Sequence, residues 1–226
     1  MPEQPERPQQ QGGNKDIHIV GIGGSLREGS YTRMAVAVAL QGATDAGASA
    51  RLIDLRDYDL PFCGGKVGEL ERSEDVLRLR REVGQAQGII LGTPVYHGSF
   101  SGALKNALDA MGFDEFEGKI VGLLGVSGGA LGAADALTGL QVVCRALHAW
   151  AVPTQVSVPE AWKLFEPDGH ITDPGVEGRL KDIGRQVVRF AYLHTSRRAL
   201  EFLREWEEAP ANPGGGIRVE LPAEIQ

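Results

Sequence analysis

The sequence predicts a three-layer α/β sandwich, with a five-stranded parallel sheet in the order 2-1-3-4-5 and helices on both faces. Two observations carry this. Short apolar runs alternate with stretches of helical periodicity through the body of the 226-residue chain, the pattern of consecutive βα units. Three of those runs are apolar without alternation, as strands covered on both faces must be. Five units favour the five-strand order over the six-strand dinucleotide-binding one, and they put the reversal of winding between the first and third strands.

The first strand is expected at Ile17–Gly21, and a glycine- and serine-rich loop leads from it to a helix from Tyr31 to about Ala46. A second strand, Ala50–Leu55, precedes a helix whose stripe is Val76, Leu79 and Val83. The third strand, Gly88–Gly92, feeds a helix with Leu104, Ala107, Leu108 and Met111 on one side and Ser101 in the N-cap position. Ile120–Val126 is followed by the stripe Leu137, Leu140 and Cys144, and Thr154–Val158 by Leu180, Ile183, Val187 and Ala191. The order is that of the flavodoxin-like sandwich.

Length sets the domain count, since 226 residues suit one α/β domain with tails rather than two. Residues 1–16, rich in Pro and Gln and poor in apolar side chains, are expected to form a disordered tail without signal-peptide character. Residues 17–208 would carry the domain. Residues 209–226, with Pro210, Pro213 and Gly214-Gly215-Gly216, read as a loose second tail whose Ile217, Val219 and Leu221 could dock on a neighbour.

A net charge of −7 argues against nucleic acid or an anionic membrane as partner, because phosphate backbones are bound through clustered Lys and Arg. The run Arg78–Arg81 reads as a solvated helix face. Cys63 and Cys144 stand far apart, with no metal-ligand spacing and no disulfide framework, and no apolar run is long enough to span a membrane. A reducing cytoplasm is the expected location.

Three polar loops follow the first, third and fourth strands, at the sheet edge where such folds bind ligands. In the first, Gly23, Gly24 and Gly29 let a phosphate approach main-chain N–H groups, Ser25, Ser30 and Thr32 add hydroxyls, and Arg27 adds a planar cation. The same residues also suit an ordinary βα turn with an N-cap. No Walker lysine follows, and Gly21-x-Gly23 lacks the rest of a dinucleotide fingerprint, which favours a mononucleotide. In the second loop Pro94 and Tyr96 offer a rigid edge and an aromatic face to a flat heteroaromatic ring, although Tyr96 could equally be packing. Lys105 reads equally well as a surface charge.

The third loop, Gly125-Val126-Ser127-Gly128-Gly129, fits the G-x-S-x-G nucleophile elbow. A serine hydrolase built on Ser127 would draw an acid from Asp168 or Asp173 and a base from His194, with His170 nearby. His194, however, falls inside a helical pattern, and that reading leaves the first two loops unused.

Together the loops resemble the NADPH-dependent FMN reductase family, flavodoxin-like NAD(P)H:flavin oxidoreductases. The resemblance rests on Gly24-Ser-Leu-Arg-x-x-Ser30-x-x-Arg33 and on Thr93-Pro-x-Tyr-x-x-Ser-x-Ser-Gly-Ala-Leu-Lys-Asn106, and covers Ile17 to Leu193. It implies that Ser25, Arg27, Ser30 and Thr32 bind the FMN phosphate. Pro94, Val95, Tyr96, His97, Gly98 and Ser99 would wrap the ring and ribityl chain, and Ser127, Gly128 and Gly129 would lie near the pyrimidine edge. Many members carry Glu and Asn where this chain has Val95 and His97, and its Thr-Pro-Val-Tyr form is more similar to the flavin-supplying branch.

The implied reaction passes hydride from nicotinamide C4 of NADPH or NADH to flavin N5, and then electrons to free flavin, a quinone or another small acceptor. No catalytic side chain and no metal is required. The resemblance also implies a homodimer or homotetramer, with a flavin-dependent monooxygenase as one partner to consider. A flavodoxin-like electron carrier or flavin-binding regulator is the alternative. Trp150, Trp162 and Trp206 are expected to be core or interface anchors, and His148 to pack or cap a helix.

Overall fold

The strands whose sequences run apolar without a break sit in the middle of the sheet. In the computed structural model, which describes residues 17–195 together with Leu200, Glu201 and Arg204, these are β1 (His18–Gly23), β3 (Gly88–Pro94) and β4 (Ile120–Val126). β2 (Ser49–Asp54) lies outside β1, and β5 (Trp150–Val158) lies outside β4. All neighbours pair in parallel, in the order 2-1-3-4-5 that the sequence predicts. The expected tails, residues 1–16 and 209–226, and Trp206 lie outside the described residues.

The helices are α1 (Tyr31–Asp45), α2 (Glu69–Arg72), α3 (Glu74–Gly84), α4 (Gly102–Asp109), α5 (Phe113–Phe116), α6 (Ala134–Ala146) and α7 (Pro174–Thr195). Strand residues alternate between two cores. Ile19, Ile90, Ile120 and Leu124 face α1 and α7, while Val20, Ile22, Ile89, Leu91, Val121 and Leu123 face α3, α4 and α6. The predicted stripes of α3, α6 and α7 are all buried. Among the described residues no helix is long and apolar enough to cross a membrane.

β1 extends through Gly23 instead of ending at Gly21. Close helix packing demands glycine at Gly21 of β1 and Gly92 of β3: a Cβ on Gly21 would lie 2.5 Å from Val36 Cγ1, and one on Gly92 2.3 Å from Val36 Cγ2. β5 starts at Trp150 instead of Thr154. Pro153 hides this extension in the sequence, yet proline is compatible with an edge strand, and the register with β4 shifts between Val121 and Leu123 to accommodate the irregularity.

Arg78 and Arg80 are not a solvated face. Arg78 stacks over the Tyr58 ring at 3.9 Å and donates to the Asp57 carbonyl, while Arg80 Nε donates to the Ala110 carbonyl at 2.6 Å. Both clip α3 to the loops beside it. Trp150 is not a core anchor, being exposed at the start of β5. His148 ends α6 in the left-handed region (φ 57°) and stacks on Phe113 at 4.5 Å.

Cys144 is 1 % exposed, and burial pushes its thiol up to about 12, whereas Cys63 is exposed. Titration of the native protein with Ellman's reagent should therefore release about one thiolate equivalent, the second appearing only in denaturant. Equal native reactivity of both cysteines would contradict this packing of α6.

Candidate functional site

The loops after β1, β3 and β4 come from adjacent strands, so the sheet itself brings them side by side. The first begins where Gly24 N–H donates to the Gly92 carbonyl at 2.8 Å. A Cβ on Gly24 would lie 2.7 Å from Leu104 Cβ and 2.8 Å from Ser101 Oγ, so only glycine allows the two loops this contact. Ser30 is the N-cap of α1 and accepts from Arg33 N–H at 3.1 Å. The N–H groups of Tyr31 and Thr32, in the first turn, have no acceptor among the described residues. They carry the positive end of the helix dipole into the crevice.

Arg33, part of the sequence motif but given no role from sequence, holds this loop in shape. Its guanidinium donates to the carbonyls of Arg27 and Glu28 and lies 3.4 Å from Asp54 Oδ2 at the end of β2. The Asp54 carboxyl is held below its ordinary range by hydrogen bonds from Arg56, aided by the charges of Arg56 and Arg33. Arg27 itself is exposed and enters no ion pair among the described residues. Its guanidinium carbon stands 5.6 Å from the Tyr96 ring centroid, joining the first loop to the second.

The second loop leaves β3 through the fully buried Thr93, whose Oγ1 donates to the Pro94 carbonyl and accepts from Ser101 N–H, both at 2.9 Å. Ser101 is the expected N-cap of α4, and its Oγ also donates to the Gly24 carbonyl. Between them Tyr96 and Ser99 exchange main-chain hydrogen bonds of 3.0 and 3.1 Å. His97 (φ 50°) and Gly98 (φ 79°) form the tip of this tight turn, both left-handed as a two-residue hairpin turn requires. Lys105 pairs with Asp109 on the surface of α4, and Asn106 Nδ2 donates to the Leu60 carbonyl.

In the third loop Ser127 is buried, and its Oγ exchanges hydrogen bonds only with Gly129, donating to its carbonyl at 3.1 Å and accepting its N–H at 3.0 Å. His194 Nδ1 is bonded within α7 to the Phe190 carbonyl, and His170 N–H is bonded to Asp168. No histidine reaches Ser127 among the described residues, so the structure does not assemble the hydrolase constellation. The segment after β5 seals this loop instead. Trp162 Nε1 donates to the Gly128 carbonyl at 3.3 Å.

These loops enclose a crevice of about 250 Å³. Ser25, Arg27, Ser30 and Thr32 line it from the first loop, Pro94, Val95 and Tyr96 from the second, and Ser127 and Gly128 from the third. His97, Gly98, Ser99 and Gly129, also expected at the site, are not among the residues that line the crevice. Tyr31, Ala161 and Trp162 line the crevice without having been expected there. Trp162 is 58 % exposed, a rim residue and not a core anchor. Its signal in the sequence is weak, since it comes from a segment far from all three loops.

The model of the NADPH-dependent FMN reductase family matches residues 17–163. The chain belongs to this family. Its curated relatives include an FMN-dependent NADPH-azoreductase of Staphylococcus aureus, 33 % identical over 172 residues, which are 74 % of this chain and 91 % of the relative. Among solved structures, an NADH:FMN oxidoreductase in its apo form superposes with a TM-score of 0.64 at 22 % identity, covering 82 % of this chain and 99 % of that one. A flavodoxin from the domain Archaea reaches 0.55 at 13 % identity, with 77 % and 97 % covered. The fold is flavodoxin-like, as its strand order predicts. This FMN reductase family member is an oxidoreductase, and the cofactors of its family are FMN and NAD(P)H.

Proposed function

We propose that the crevice holds FMN and that the protein uses it to reduce small aromatic acceptors with electrons from NAD(P)H. One observation carries this reading. Unsatisfied N–H donors of the first turn of α1, an Arg27 with no ion pair among the described residues, and the side chains of Pro94, Val95, Tyr96 and Trp162 all line one crevice. Anion-binding groups and apolar, aromatic side chains in one crevice suit a molecule that carries both a phosphate and a planar ring.

Ser25, Ser30 and Thr32 would give hydroxyl hydrogen bonds to the phosphate, and Arg27 its charge, with Arg33 and Asp54 holding the loop that presents them. Pro94, Val95 and Tyr96 would bound the ring, and the N–H of Gly128, which has no acceptor among the described residues, would hydrogen-bond a carbonyl at its edge. FMN when bound supplies the redox chemistry, accepting a hydride equivalent from nicotinamide and delivering electrons to the acceptor. The protein's part is to orient both partners and to offer main-chain donors where negative charge grows. The name of the 33 % identical relative favours an azo compound among the acceptors, alongside the free flavin and quinones suggested by the sequence.

Adding NADPH, then NADH, anaerobically to the FMN-loaded protein should bleach the flavin band rapidly and saturably. Bound flavin that stays oxidised would replace the reductase by an electron carrier or regulator. The phosphate end has its own test. Arg27→Ala should weaken FMN binding about 10- to 100-fold, the worth of one charge-assisted contact, and leave riboflavin binding unchanged. Equal loss for both flavins would place Arg27 elsewhere than at the phosphate.

A further inference from the structure

We propose that Trp162 is a preorganised ring-contact residue, an indole wall for the flavin ring in the crevice that Tyr96 also lines. The inference rests on the FMN reading above and adds to it a specificity element contributed from outside the three loops. Trp162 lines the crevice yet is 58 % exposed, so its indole is not consumed by the core.

The segment carrying it is bonded to the third loop residue by residue. Glu160 N–H donates to the Gly129 carbonyl at 3.2 Å, Ala161 N–H to the Ser127 carbonyl at 3.0 Å, and Trp162 Nε1 to the Gly128 carbonyl at 3.3 Å. The carbonyls of Ser127, Gly128 and Gly129 therefore turn towards this corner. Ala161, 1 % exposed, anchors the short 3₁₀ turn Ala161–Lys163.

The backbone is strained to achieve this. Glu160 is left-handed (φ 45°, ψ 44°), a conformation that a residue with a Cβ adopts only when its surroundings enforce it. A cation also holds the indole: Lys163 Nζ lies 5.1 Å from the Trp162 ring and pairs with Glu160 Oε1 at 2.6 Å. An indole so fixed before any ligand arrives loses little entropy in stacking, and stacking recognises a ring whether or not a phosphate is attached.

The test compares FMN with riboflavin, followed by quenching of flavin fluorescence on titration with the full-length wild-type, Trp162→Ala and Trp162→Phe proteins. Trp162→Ala should weaken both flavins by the same factor, about tenfold, and Trp162→Phe should recover most of that loss by restoring a ring. Two results would overturn the proposal: Trp162→Ala affinities within twofold of wild type, or a Trp162→Phe protein as impaired as the alanine variant, which would assign the effect to the Gly128 hydrogen bond. Wild-type protein that binds neither flavin would overturn the FMN reading itself, a separate failure. Should Trp162→Ala melt at a lower temperature, the phenylalanine comparison still decides.

Discussion

Replacing Gly184 by alanine is expected to destabilise the fold by about 2–4 kcal/mol, although alanine is the better helix former by about 1 kcal/mol. Gly184 lies inside α7 where that helix crosses α1, and a Cβ there would stand 1.9 Å from the Ala39 carbonyl oxygen and 2.9 Å from Ala43 N. These are main-chain atoms of a packed helix and cannot rotate away. Gly42, on α1, faces the Lys181 carbonyl at 2.0 Å in the same manner, so the two helices meet backbone to backbone. Relief requires the helices to part, opening the core of Val36, Ala39, Ile183 and Val187. For a chain of this size the melting temperature should fall by roughly 5–15 °C. Gly178→Ala is the control within α7: its Cβ would meet nothing within 4 Å, and the substitution should raise stability by about 0.4–1 kcal/mol. Thermal melts of the two variants should move in opposite directions, and movement in the same direction would show that the close crossing is not what Gly184 serves.

Ser101→Ala carries the second large effect, about 2–4 kcal/mol, and it links stability to the site. One buried hydroxyl caps α4 at Leu104 N–H and donates to the Gly24 carbonyl in the first loop, at 2 % exposure. Alanine removes the cap and leaves a buried carbonyl without its donor. Because Gly24 opens the loop proposed to take the phosphate, FMN affinity should fall together with stability even though Ser101 does not line the crevice. Urea denaturation of the apo-protein and FMN titration of the same sample test both. A loss of stability with unchanged FMN affinity would show that the first loop keeps its shape without this tie.

The parts of the site legible in sequence were those carried by consecutive residues. Glycines and hydroxyls after an apolar run announced the loops at β1, β3 and β4, and Ser101 read as an N-cap because capping is decided within one turn. Arg33 was visible in a motif, but its grip on the loop carbonyls and on Asp54 depends on β2 lying beside β1. Trp162, expected as a core or interface anchor, and Ala161, given no role from sequence, reach the third loop only through the corner after β5. His97, Gly98 and Ser99 followed the family pattern; they form the tight turn between Tyr96 and Ser99 and are not among the crevice's lining residues.

By itself the sequence determined the class of fold, the strand order and the edge of the sheet where the three loops meet, because periodicity and turn chemistry are local and the handedness of βα units does the rest. Tertiary structure alone decided how close the layers come and which side chains complete the crevice. Gly21, Gly42, Gly92 and Gly184 are contact points between α1, α7 and the sheet, and Trp162, expected as a core or interface anchor, stands at the crevice rim. Both depend on distances between segments remote in sequence, which packing sets and no local pattern records.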